Sequence, residues 1–114
     1  MEICFEGIGQ MVATFLTEDE LTSGTAVTLK ESGTVKSGTE GEPPCGVTVS
    51  TARGGAVAVQ IGGVVKVSCS EGTPEVGWQE LACDGKGGVK AGAGGMKYLV
   101  LEVSEDKKSV VVKL

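Results

Sequence analysis

Residues 56–69 read Ala-Val-Ala-Val-Gln-Ile-Gly-Gly-Val-Val-Lys-Val-Ser-Cys. Two runs rich in β-branched residues, 56–61 and 64–69, flank the pair Gly62-Gly63. A branched Cβ is restricted in a helix and packs well on a pleated surface. Gly-Gly between two such runs suits a two-residue turn with positive φ. The stretch is therefore read as a β-hairpin, and it sets the fold class as all-β.

The rest of the chain follows the same grammar. C-terminal to the hairpin, residues 70–77 form a loop containing Pro74. Residues 78–83 and 88–91 then make a second hairpin around Asp84-Gly85-Lys86-Gly87. After the connection Gly92-Ala93-Gly94-Gly95, residues 97–103 and 109–114 close the chain as a third hairpin. N-terminal to 56, residues 46–50, 34–36 and 25–30 read as short strands, and residues 11–16 (MVATFL) as a buried one. In 25–30, period-two alternation sets Ala26, Thr28 and Lys30 against Thr25, Val27 and Leu29, the mark of a half-buried strand.

Thr17, with Glu20 three residues on, has capping-box spacing and predicts one helical turn. Residues 37–44 (SGTEGEPP) are the most polar and breaker-rich stretch and read as an exposed loop. Eight to ten short strands at this spacing predict a small β-barrel or a β-clip-like sandwich of antiparallel strands with tight Gly turns. Residues 1–10 read as an N-terminal arm or edge strand and 11–114 as one β-domain, with no convincing internal repeat.

The chain has 114 residues, the size of one domain able to bury a core. Its 19 Gly are dispersed between Val-rich runs, so they read as turns rather than low complexity. Net charge is −5 and Arg53 is the single Arg, so no basic footprint for nucleic acid exists. Two Phe, one Tyr and one Trp leave no stacking platform for single strands either. No apolar run is long enough to cross a membrane as a helix, and the acidic start Met1-Glu2-Ile3 is not a signal peptide.

Chemistry is thinly supplied. The chain has no His, which removes the commonest general base and any Ser-His-Asp or Cys-His arrangement. Cys4, Cys45, Cys69 and Cys83 are scattered, without a CxxC pair, and are expected to be reduced, semi-buried small residues. Glu18, Asp19 and Glu20, the pair Glu40 and Glu42, and the pair Glu105 and Asp106 belong to solvated turns rather than to paired acid–base work. The glycine runs lead into strands instead of a helix N-terminus, so they are turns and not phosphate loops. Trp78 either fills the core at a strand start or anchors an interface, core packing being the expectation; Tyr98 is read as core. No catalytic residue, cofactor or metal ligand is assigned.

Several stretches together carry a resemblance: Gly24-Thr25-Ala26-Val27, Cys45-Gly46-Val47, residues 55–67, residues 76–81, residues 84–89 and the closing Val110-Val111-Val112-Lys113-Leu114. The opening residues 4–10 with Val12-Ala13-Thr14-Phe15 add to it. Over nearly its whole length the chain resembles the capsid cement, or head decoration, proteins of tailed phages and prophages. The resemblance implies a non-catalytic β-barrel-like or β-clip-like protein on the outer face of an assembled head, with the major capsid protein as partner. It also implies a virion location after assembly in the host cytoplasm, and a homo-oligomer, often a trimer at three-fold positions. It transfers no active residue. The alternative reading is a ligand- or carbohydrate-binding β-domain of a head fibre or similar structural protein, and exposed aromatics are few for that role.

Overall fold

The computed structural model describes residues 10–91 and 96–114. The arm expected at 1–10 therefore lies, apart from Gln10, outside the described residues, as do Cys4 and the connection 92–95. The described residues form ten strands: β1 (Met11–Leu16), β2 (Ala26–Glu31), β3 (Thr34–Ser37), β4 (Gly46–Thr48), β5 (Ala56–Gly62), β6 (Val64–Glu71), β7 (Gly77–Cys83), β8 (Val89–Ala91), β9 (Met96–Val103) and β10 (Ser109–Lys113). They include no helix.

The strands close into two five-stranded barrels, in the orders β1-β3-β2-β4-β5 and β10-β6-β8-β7-β9. The all-β barrel expected from the sequence is thus present, twice. The ladders are antiparallel except for two short parallel ones, β1 with β3 and β6 with β8. Five strands cannot alternate in direction all the way round a closed ring, so each barrel contains a parallel pair, here its first and third strands.

The hairpin expected at 56–69 is not one. β5 pairs with β1 and β4, whereas β6 pairs with β10 and β8. Gly62-Gly63 is the passage from one barrel to the other, with Gly63 at φ 86°. Gly62 ends β5 and only Gly63 of the pair has positive φ, so the two-residue turn expected there is absent and the flanking strands find partners elsewhere. Gln60 braces this passage: its Nε2 donates to the carbonyls of Gly62 and Val64, 3.0 Å each. The hairpins expected at 78–91 and 97–114 do form.

The two barrels have one topology. β1 to β5 correspond in order to β6 to β10, ladder for ladder. Val27–Ser37, Thr28–Lys36 and Leu29–Val35 in the first barrel match Leu81–Ala91, Ala82–Lys90 and Cys83–Val89 in the second, every residue displaced by 54 positions. The expectation of no internal repeat is therefore corrected. Its sequence trace is short: Gly33-Thr34-Val35-Lys36-Ser37-Gly38 recurs as Gly87-Gly88-Val89-Lys90-Ala91-Gly92. Such a Gly-x-Val-Lys pattern is hard to distinguish from ordinary turn-and-strand usage.

A five-stranded barrel is narrow, so its interior takes small branched side chains rather than aromatics. The first is filled by Leu21, Val27, Val35, Val57 and Val59. The second is filled by Val65, Val67, Cys69, Leu81, Cys83, Val89, Val100, Val110 and Val112, and Ala26 and Val47 of the first barrel join this same cluster. Hence Ala26, Val27 and Thr28 of β2 are all buried: alternate residues serve the two barrels, and the strand expected to be half-buried is covered on both faces.

Residues 37–44 are not a free loop but the seam. Gly41 N donates to Cys83 O (3.0 Å), Cys83 N to Glu42 O (2.7 Å) and Ala26 N to Gly87 O (2.8 Å). The Tyr98 hydroxyl donates to Pro44 O at 2.7 Å, and Lys90 meets Glu40 at 3.0 Å. Gly38 and Pro44 are buried there. The helical turn expected at Thr17 is also absent. Thr17 Oγ1 accepts from Asp19 N (3.1 Å), two residues on, closing a local turn in place of a helix cap.

Candidate functional site

The carboxylates considered from sequence do not assemble. Glu18 pairs with Lys30 (2.7 Å), Glu40 with Lys90 (3.0 Å) and Glu42 with Lys36 (3.5 Å). Asp19 accepts from Ser37 N (3.0 Å), and Asp106 from Ser104 Oγ (2.6 Å) and Lys108 N (3.0 Å). Each of these five acids has a separate partner, and Glu20 and Glu105 are exposed. Among the described residues no group of three or more His, Cys, Asp or Glu is placed to hold a metal ion.

Asp84 is the one buried acid among the described residues. Its Oδ1 accepts from Lys86 N (2.6 Å) and Gly88 N (3.1 Å), and its Oδ2 from Ser70 Oγ (2.6 Å). Burial acts to raise its pKa, but these bonds and the Lys86 charge hold it below the usual carboxylate value. Held by three donors, Asp84 pins the β7–β8 hairpin.

Of the thiols considered from sequence, Cys69 and Cys83 are buried and Cys45 is half-buried. Burial, then the charges of Asp84 and Glu42 and the neighbouring Cys45, push the Cys83 thiol up to about 11. Burial raises that of Cys45 as well. Both shifts disfavour the thiolate, which is the reactive form. Tyr98 belongs to the core margin, where burial raises its hydroxyl pKa.

What remains is surface. A hollow of ≈ 360 Å³ lies on the first barrel, lined by Thr14, Ser50, Arg53, Ala56 and Ala58 among others, and a second of ≈ 510 Å³ lies beside residues 17–22. Both are open depressions on the surface. The outer face of β1 and β5 pairs Val12 with Gln60, Thr14 with Ala58 and Leu16 with Ala56, and both Val12 and Leu16 are exposed.

Trp78 is the sharpest departure from expectation. It is 68% exposed on the outside of the second barrel and fills no core. The reason is parity. Leu81 and Cys83 point inward from β7, so Trp78, an odd number of residues away, points outward. Leu99 lies directly across the ladder from it, and Glu80 faces Lys97 one pair along. Lys113 of β10 lies across from Leu99 on its other side, and Val76 is as exposed as Trp78. The sequence signal for this was the alternation Trp-x-Glu-x-Ala against Leu-x-Cys in 78–83, with a charged residue sharing the Trp face.

No family model matches the chain, and no curated protein matches it. Among solved structures it is similar to the N base of the head fibre protein gp8.5 of bacteriophage phi29. The TM-score is 0.66 at 12% identity, covering 92% of this chain and 93% of that one, so the two share a fold across almost their whole lengths.

Proposed function

We propose that this protein is a phage head decoration protein: a non-catalytic subunit that binds the outer surface of the assembled head and stabilises it. The observation that carries the reading is the fold shared along 92% of the chain with the base of a phage head fibre. The cement-protein resemblance, read from the sequence, points to the same particle. The major capsid protein is the partner and a homo-oligomer the working form. The physical logic is avidity, since many copies on a symmetric shell turn weak single contacts into a large gain in shell stability.

The fibre neighbour also favours a second reading, in which the chain is a ligand-binding or mounting domain of a head fibre. Particle stoichiometry separates the two. Purified phage particles would be analysed by quantitative mass spectrometry against the major capsid protein. A ratio near one copy per capsid subunit supports decoration, a few copies per particle the fibre reading. Absence from intact particles would refute both.

A further inference from the structure

We infer that the outer β7–β9 face centred on Trp78 is a self-association surface, which docks a second copy of this chain about a two-fold axis running along the strands. The inference rests on the oligomeric part of the reading above and not on capsid binding.

The first argument is the duplication. In the first barrel the equivalent ladder, β2–β4, is not exposed: its Ala26–Val47 pair is buried against the second barrel. This ladder is thus already used once, within the chain, to pack barrel on barrel. Its counterpart in the second barrel faces solvent. Glu80, 54 positions after Ala26, pairs with Lys97 as Ala26 pairs with Val47. Two charges at those positions prevent a repeat of the same flush contact, since burying them unpaired is costly. The apolar centre is moved one pair along, to Trp78 and Leu99, with Val76 beside it.

The second argument is charge. On this face the acid Glu80 is on β7, and the bases Lys97 and Lys113 are on β9 and β10. All three are exposed. A two-fold axis along the strands lays the β7 side of one copy over the β9–β10 side of the other, acid over base on both flanks. Such a contact is isologous and closed. It matches the usual anatomy of an apolar aromatic centre with a charged rim.

The test uses the isolated full chain. Sedimentation velocity from low to high micromolar concentration is expected to show reversible self-association. The emission of Trp78, the single Trp, is expected to shift to the blue along the same curve. Trp78→Glu should abolish association, and because the side chain is outside the core its circular dichroism and melting should stay as in the parent. Glu80→Lys and Lys97→Glu should each weaken association at least tenfold, and the double exchange Glu80→Lys/Lys97→Glu should restore it. A monomer at every concentration, an oligomer indifferent to Trp78→Glu, or a double exchange without rescue would each overturn the proposal. So would a monomer whose binding to heads is lost in Trp78→Glu, which assigns the face to the capsid instead. Normal self-association with no binding to heads would leave this inference standing and remove the decoration reading.

Discussion

Leu29 and Cys83 occupy the same position in two barrels of one topology, yet Leu29 is 55% exposed and Cys83 is 1% exposed. The difference is what lies over each. Residues 38–42 of the first barrel close over Cys83, while Leu29 stays at an open barrel mouth. Leu29→Ser is expected to change stability by no more than about 0.5 kcal/mol, as surface changes do. Cys83→Ser puts a hydroxyl into the apolar seam and is expected to cost about 1–3 kcal/mol. Urea denaturation of both variants checks the contrast.

Gly38 is the closest approach in that seam. A Cβ there would overlap Cys83 Sγ and lie 2.7 Å from Cys83 Cβ and 3.3 Å from Ala26 O. Gly38→Ala should therefore force the barrels apart and cost about 1–3 kcal/mol. Combining it with Cys83→Ala, which frees the space, should recover part of the loss. A fully additive double variant in thermal melts would contradict the packing described.

Gln60 holds the passage between barrels. Replacing it by Leu leaves the Gly62 and Val64 carbonyls without these partners, at a cost of about 1–3 kcal/mol for each acceptor left dry. Hydrogen exchange should speed up around residues 60–65 before it does in the interior strands.

Thr28 Oγ1 is the one buried side-chain polar atom among the described residues without a hydrogen-bond partner. Thr28→Val keeps the shape and removes the unmet hydroxyl. It should stabilise the fold by about 1 kcal/mol, seen as a higher denaturation midpoint at unchanged slope.

Asp84 predicts the acid limb. Its folded pKa is depressed, so its contribution is present above the unfolded carboxylate value of about 3.9 and is lost as pH falls through the lower folded value. Asp84→Asn should cost about 1–3 kcal/mol at pH 7. The gap to the parent should close as pH falls toward about 2. A gap independent of pH would show that the charge does not matter.

The sequence by itself determined what depends on neighbours along the chain. β1 fell at its bounds, although the strand expected to be buried is largely exposed, and the hairpins at 78–91 and 97–114 formed because each pairs its strands through a local turn. The solvated acids were legible because they depend on residue type and short-range context. Tertiary structure decided the rest. The strands flanking Gly62-Gly63 separate because each has a better partner far along the chain, and β-branched composition does not name partners. The loop 37–44 became a seam, and β2 was buried on both faces, because a second barrel lies against the first. Its presence is written only in a faint 54-residue echo. Trp78 was placed outside by strand parity, and parity is fixed by which face of β7 the barrel closes around. Local preferences supplied the strands; long-range pairing chose two barrels over one and decided which face was left for a partner.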